Sequence, residues 1–247
     1  MKIGMNLLLW TGSVSEEHLP VIEQIAGWGY DGVELPMFAL DASPWKELGT
    51  ACDAHNLGRT AVVVLPEGAN LISENADERL AAVDYLRGCV DNAHEAGMDA
   101  IAGPLYCPVG LLVGRGPNEA EYANAVAGFK AVGEHAKGSG VAVSIEPLNR
   151  FETYFLNAQA DAAKLVDDIG IEGVGVLYDT FHANIEEKGI AEAIVTGGRR
   201  INHVHVSAND RATPGEDHVD YAATFGTLKE MGYDGWLTIE AFGHWIP

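Results

Sequence analysis

The feature that most constrains this chain is a rhythm: eight short β-rich runs alternate with longer segments of helical patterning. The runs are Ile3–Leu9, Gly32–Leu35, Thr60–Leu65, Ala100–Gly103, Val141–Glu146, Gly175–Asp179, His203–Ser207 and Trp236–Glu240. Between them lie candidate helices at Glu16–Trp28, Pro44–His55, Asp77–Ala96, Glu119–Lys137, Ala158–Ile169 and Tyr221–Met231. Most are followed within a few residues by a stop glycine, as at Gly29, Gly58, Gly97, Gly140 and Gly232. A crossover helix returns the chain to the same end of a sheet, so such strands run parallel. The repeat is about 31 residues, the usual size of a βα unit in a closed barrel. The expected fold is therefore α/β, a (β/α)8 TIM barrel, with residues 1–247 as a single domain. An open doubly wound sheet would carry a glycine-rich turn after its first strand, and Trp10-Thr11-Gly12-Ser13-Val14 is not one. Only Ala241 to Pro247 follow the eighth run, too few for a covering helix, so the eighth helix is expected to be missing from this chain.

Charge narrows the partners. Fifteen Lys and Arg stand against 36 Asp and Glu, a formal net charge of −21, which repels phosphate backbones and anionic lipid. Nucleic acid is excluded as a partner on this ground, and no stretch approaches the roughly 18 to 20 apolar residues of a membrane helix. The apolar N-terminus, Met1 to Trp10, is too short for a signal peptide and lacks a small-residue cleavage site. Cys52, Cys89 and Cys107 show no C-x-x-C spacing and read as reduced, buried thiols. A cytoplasmic location is expected.

In a parallel barrel the C-terminal strand ends face one mouth, where their side chains converge. Run five ends in Glu146, run six in Asp179, run seven carries His205, and run eight ends in Glu240, with spacings of about 33, 26 and 35 residues, each close to one βα unit. A single carboxylate after an apolar strand is ordinary in so acidic a chain. Four metal-capable side chains at successive strand ends form a hard, oxygen-rich set that suits Mn²⁺, Co²⁺ or Mg²⁺ better than a structural zinc. Strands five and eight stand three apart in a ring of eight, so Glu146 and Glu240 reach the cavity from separate directions. That placement suits a two-base proton exchange at a carbon next to a carbonyl, with a metal stabilising the enediolate charge.

Two runs carry a family resemblance. Glu146-Pro147-Leu148-Asn149-Arg150-Phe151-Glu152-Thr153-Tyr154-Phe155-Leu156-Asn157 resembles the strand-five signature of the ketose 3-epimerases (D-tagatose, D-psicose or allulose, and L-ribulose 3-epimerases) of the xylose-isomerase-like barrel superfamily. Asp179-Thr180-Phe181-His182-Ala183-Asn184-Ile185-Glu186-Glu187 resembles their strand-six motif. Similarity continues through Gly103-Pro104-Leu105-Tyr106, through His203 to Ser207 with Arg211, and to Glu240. The resemblance implies metal ligands Glu146, Asp179, His205 and Glu240, the two Glu also serving as catalytic acid and base. It further implies that Glu152, His182 and Arg211 hold the ketose oxygens near C1 to C3. The cofactor is expected to be a divalent metal, Mn²⁺ first with Co²⁺ or Mg²⁺ as alternatives, the substrate a free ketose, and the assembly a homodimer or homotetramer. The loop Pro214 to Asp220 departs from the family pattern in lacking a second glycine.

The competing reading is an aldose–ketose or hydroxypyruvate-type isomerase on the same scaffold. A DNA-repair endonuclease would need more histidines at strand ends and a basic surface, and loss of catalysis is opposed by the presence of both Glu146 and Glu240. His203, on the same strand face as His205 but deeper, reads as a hydrogen-bonded core residue. Glu34 receives no role, and Trp10, Met37 and Tyr106 are candidate apolar walls for a sugar or, equally, ordinary packing.

Overall fold

In the computed structural model, which describes residues 1–243, eight parallel strands close into a barrel in the order β1 to β8. They are β1 (Lys2–Asn6), β2 (Gly32–Pro36), β3 (Gly58–Val62), β4 (Ala100–Gly103), β5 (Ala142–Ile145), β6 (Val174–Asp179), β7 (Ile201–Val206) and β8 (Trp236–Ile239). Closure comes from β1 pairing with β8, Lys2 opposite Trp236 and Met5 opposite Ile239. The outer ring holds α1 (Leu19–Gly27), α2 (Trp45–Ala54), α3 (Ala76–Glu95), α4 (Glu119–Ala136), α5 (Gln159–Ile169), α6 (Thr180–Glu186), α7 (Ile190–Gly197) and α8 (Tyr221–Glu230).

Local chemistry explains these boundaries. Asn75 caps α3 by accepting from Asp77 N at 3.0 Å, and Asn118 and Glu121 form a reciprocal capping box on α4. Gly170 ends α5 in the left-handed conformation, φ 64°. The apolar faces of α1 to α5 pack on the barrel in one large core. A second cluster, including Ile194, Ile201 and Leu228, sits under α7 and α8. The three cysteines are free and buried, and burial pushes the thiols of Cys52, Cys89 and Cys107 up to about 11, 12 and 11.

Several sequence expectations are corrected. Residues Leu7–Leu9 are not strand but a 3-10 turn capped by Asn6, whose side chain accepts from Leu8 N. The third strand begins at Gly58 and ends at Val62. The expected helix from Glu16 splits into a 3-10 turn, Glu16–His18, and α1. The β6 to β7 crossover contains two helices, α6 and α7, which brings the number of helices to eight although none follows β8 among the described residues. The expected gap after the eighth strand falls in part on residues 244–247, which lie outside the described residues. No helix among the described residues is long and apolar enough to cross a membrane.

The barrel floor is closed by one indole. Trp236 points inward from β8 and donates its Nε1–H to Asp99 Oδ2 at 2.9 Å, across the barrel. It fits because β2 and β3 carry glycine where the ring lies: a Cβ on Gly58 would stand 2.7 Å from Cη2 and Cζ2 of the indole. Gly58→Ala is therefore expected to destabilise the fold by about 1–3 kcal/mol through overpacking, read as a lower midpoint in denaturant unfolding.

Candidate active site

The strand ladder places the acidic side chains at one mouth. Glu146 directly follows β5 and Glu240 directly follows β8, and each is held by a backbone bond continuing the ladder: Glu146 N to Gly103 O at 2.9 Å, Glu240 N to Val206 O at 3.0 Å. Gly103 makes the first bond possible, because at φ 140° it passes so near Val63 O that a Cβ would collide with that carbonyl. Asp179 is the last residue of β6 and stands in register with His205 on β7, itself in register with Thr238. A register shift between β6 and β7 leaves Asn202 as an extra residue, so that Ile201 packs outward while His203 and His205 face the barrel interior.

All seven residues expected from the sequence meet around this mouth. Ligand atoms of Asp179, His205 and Glu240 lie within 4.8 Å of one another, and so do those of Glu146, Asp179 and His182. Asp179 Oδ1 caps α6 by accepting from Phe181 N, and its Oδ2 accepts from Arg211 Nη1 at 2.8 Å. The same Nη1 donates to Glu240 Oε2 at 2.7 Å. Arg211 adopts φ 62°, and its guanidinium lies between the rings of Phe181 and Phe242, 3.9 and 4.7 Å from their centroids. His182 Nδ1 accepts from Asn149 N at 3.0 Å, and its Nε2 faces Arg211 Nη2 at 2.9 Å. Nε2 lies 3.5 Å from Glu146 Oε1. Asn149 Nδ2 also donates to Glu152 Oε1 at 2.7 Å.

Electrostatics follow from burial. Desolvation raises the Glu146 carboxyl well above the ordinary range and raises Glu240 too, with neighbouring carboxylates adding to it and His205 and Arg211 opposing it. Asp179 is held low: burial would raise it, but Arg211, His182 and His205 outweigh that. Burial pushes His182 down to about 3. Burial would also lower His205, yet Glu34, Glu240 and Glu146 pull it well above the usual imidazole range.

The residue that sequence reasoning set aside is Glu34. It is fully buried beneath the mouth, in register with Asn6 on β1 and Thr60 on β3, and both side chains donate to it at 2.8 Å. His205 Nε2 lies 2.7 Å from its Oε1, and His203 Nε2 2.8 Å from its Oε2. The available signal was a polar residue inside each of the first three β-rich runs, Asn6, Glu34 and Thr60, with apolar neighbours on both sides in the first two. Asn149 was likewise missed as the residue that orients His182 and Glu152.

The mouth opens into a cavity of 460 Å³. Glu146, Glu152, His182, Arg211 and Glu240 line one side, whereas Leu8, Phe38, Val62, Leu65, Pro104, Pro108, Val109 and Phe242 are among the apolar lining. The candidate walls Met37 and Tyr106 are instead fully buried in the core, and Trp10 stacks on Trp28 with centroids 6.5 Å apart.

A sequence profile described as "Xylose isomerase-like TIM barrel" matches residues 22–247. A protein named "Probable ketose 3-epimerase" from Synechocystis sp. is 31% identical over 98% of this chain and 84% of its own length. A D-psicose 3-epimerase from Agrobacterium fabrum is 29% identical over 98% and 85%. The crystal structure of a D-allulose 3-epimerase from Methylomonas sp. in complex with D-allulose superposes with a TM-score of 0.94 at 26% identity, covering 99% of this chain and 85% of that one. The chain thus belongs to the xylose isomerase-like TIM barrel family, and within it to the ketose 3-epimerases.

The cavity wall formed by Pro104, Pro108 and Val109 belongs to the long β4 to α4 connection, which is clasped by one carboxylate. Glu121 accepts from Arg115 Nη1 and Nη2 at 2.9 and 2.8 Å, from Tyr154 Oη at 2.8 Å and from Asn118 N at 2.8 Å. The Arg115 hydrogen bonds, set against burial, bring its pKa down to about 2. The clasp is therefore fully present above the unfolded value of about 4.3 and is lost as pH falls towards 2. With Arg115 half exposed, the contribution is on the order of 1–2 kcal/mol. Unfolding free energy measured from pH 5 down to pH 2 should fall by that much more in the wild type than in Glu121→Gln.

Proposed function

We propose that the protein is a divalent-metal-dependent epimerase that inverts C3 of a free ketose, with Glu146 and Glu240 as its two proton carriers. The observation that carries this reading is that both carboxyls border one cavity from strands three apart in the ring, with Arg211 and His182 beside them. The donor set suits a hard cation: His205 Nδ1 is buried without a hydrogen-bond partner among the described residues, and it lies 3.4 Å from Glu240 Oε1 and 4.0 Å from Glu146 Oε1. Glu146, Asp179, His205 and Glu240 would hold the ion, Mn²⁺ first, with Co²⁺ or Mg²⁺ as alternatives. When bound, such an ion supplies Lewis acidity to the ketose oxygens.

The chain's own residues account for the rest. One Glu removes the C3 proton, acidic because C3 adjoins the C2 carbonyl, and the C3–H electron pair moves into the enediolate. The Glu on the other side delivers a proton to the opposite face of C3, and the carbonyl re-forms at C2. Arg211 and His182 hold the substrate oxygens near C1 to C3, Arg211 as a donor, and Glu152, oriented by Asn149, accepts from a hydroxyl there. Among the described residues the rest of the lining is largely apolar, and Arg211, the one arginine or lysine in it, is already paired with Asp179 and Glu240, which favours an unphosphorylated sugar.

Exhaustive chelation should abolish turnover, with Mn²⁺ or Co²⁺ restoring it better than Zn²⁺. In D₂O, solvent deuterium should enter C3 of the epimerised ketose, and Glu146→Gln and Glu240→Gln should each lower kcat by about 10²-fold or more. Deuterium at C1 with none at C3 would identify an aldose–ketose isomerase instead. Arg211→Ala and His182→Ala should cost about 10- to 100-fold in kcat/KM while metal content, measured by elemental analysis, stays near that of the wild type.

A further inference from the structure

Beneath the site, one buried carboxylate decides how its histidine points. Glu34 is completely buried on β2, and its Oε1 receives Asn6 Nδ2 at 2.8 Å while its Oε2 receives Thr60 Oγ1 at 2.8 Å. Asn6 Nδ2 is a donor only, and Asn6 Oδ1 is already engaged in capping the turn at Leu8. Glu34 therefore meets its neighbours as an acceptor. His205 Nε2, 2.7 Å from Glu34 Oε1, must supply the proton of that bond. The other ring nitrogen, Nδ1, is thereby aimed at the mouth, where it has no hydrogen-bond partner among the described residues.

We infer that Glu34 is a positioning residue for the candidate metal centre: it takes the Nε2–H of His205 and so presents Nδ1 as the ligating nitrogen beside Asp179, Glu146 and Glu240. The inference rests on the metal-dependent reading given above. An imidazole without this partner divides between two tautomers, one of which aims an N–H at the cation. The His203 ring packs edge-on against that of His205, with centroids 5.2 Å apart and planes at 79°, and limits its rotation. Glu34, His203 and His205 are themselves close enough to suggest a second ion site. Asn6, Thr60 and His205 take three of the roughly four acceptor positions of Glu34 and His203 Nε2 stands 2.8 Å from its Oε2, which assigns the carboxylate to orientation rather than ligation.

The test compares wild type, Glu34→Leu and Glu34→Gln by calorimetric titration with Mn²⁺ alone, alongside ¹⁵N NMR of the histidine side chains in the Cd²⁺-loaded protein. In the wild type, His205 should coordinate through Nδ1 and keep a slowly exchanging Nε2–H. Glu34→Leu should bind Mn²⁺ about 10- to 100-fold more weakly. Glu34→Gln, whose amide oxygen still accepts the Nε2–H, should recover most of that loss, an ordering that a merely structural role would not produce. Should Glu34→Leu fail to fold, the wild-type spectrum decides: coordination through Nε2 overturns the inference, and coordination through Nδ1 with Nε2–H retained supports it. Wild-type uptake matched within about threefold by a folded Glu34→Leu overturns this role alone. Failure of the wild type to take up Mn²⁺ overturns the metal-dependent reading and this role with it.

Discussion

Everything at the mouth of this barrel depends on how four buried carboxylates are balanced. Glu34, Glu146, Asp179 and Glu240 are each at most 5% exposed, and bare carboxylates at that depth are strongly disfavoured. His205 stands between them, one nitrogen on Glu34 below and the other facing Glu146 and Glu240 above. Arg211 reaches in from the rim and bridges Asp179 and Glu240 with a single guanidinium nitrogen. Burial raises the pKa values of Glu146 and Glu240, and the excess negative charge left by two cationic groups against four carboxylates adds to it. A binding place for a divalent cation has this electrostatic character.

The same balance shapes the layers below. A carboxylate at Glu34 requires donors on both neighbouring strands, and Asn6 and Thr60 supply them in register. Beneath, the barrel is closed by an aromatic ring, with Trp236 lying against Gly32 and Gly58. Asn6 also ties the two levels together, since its side chain caps the turn that carries Leu8 into the cavity wall while donating to Glu34. A change at this one side chain would reach both the shape of the wall and the orientation of His205.

On the rim, geometry is maintained against local preference. Arg211 occupies the left-handed region, which costs a residue with a Cβ about 1 kcal/mol or more. Contacts offset this: its carbonyl accepts from Phe242 N at 2.8 Å, and its guanidinium is enclosed by two aromatic faces. His182 is similarly held by Asn149, which links the β5 and β6 loops and orients Glu152 at the same time. The polar side of the cavity is thus braced, while Pro104, Pro108 and Val109 of the apolar side rest on a loop fastened by Glu121.

The alternation of runs was sufficient to establish eight parallel strands and a closed barrel, because a βα repeat of constant length leaves few other ways to bury its apolar faces. Strand ends are also where parallel ladders deliver side chains to one mouth, so Glu146, Asp179, His205 and Glu240 were legible as a group. The extra residue at Asn202 was not legible, because a bulge leaves no mark in period-two patterning. The 3-10 turn at Leu7–Leu9 was read as strand because its apolar residues continue the first run. Glu34 and Asn149 went unassigned for a deeper reason. What makes them matter is the identity of a partner 171 residues away for Glu34 and 33 for Asn149, which spacing along the chain cannot reveal. Sequence determined which side chains arrive at the mouth; the packed barrel decided which nitrogen of His205 faces the carboxylates, because only closure brings β2 and β7 within hydrogen-bonding reach across the interior.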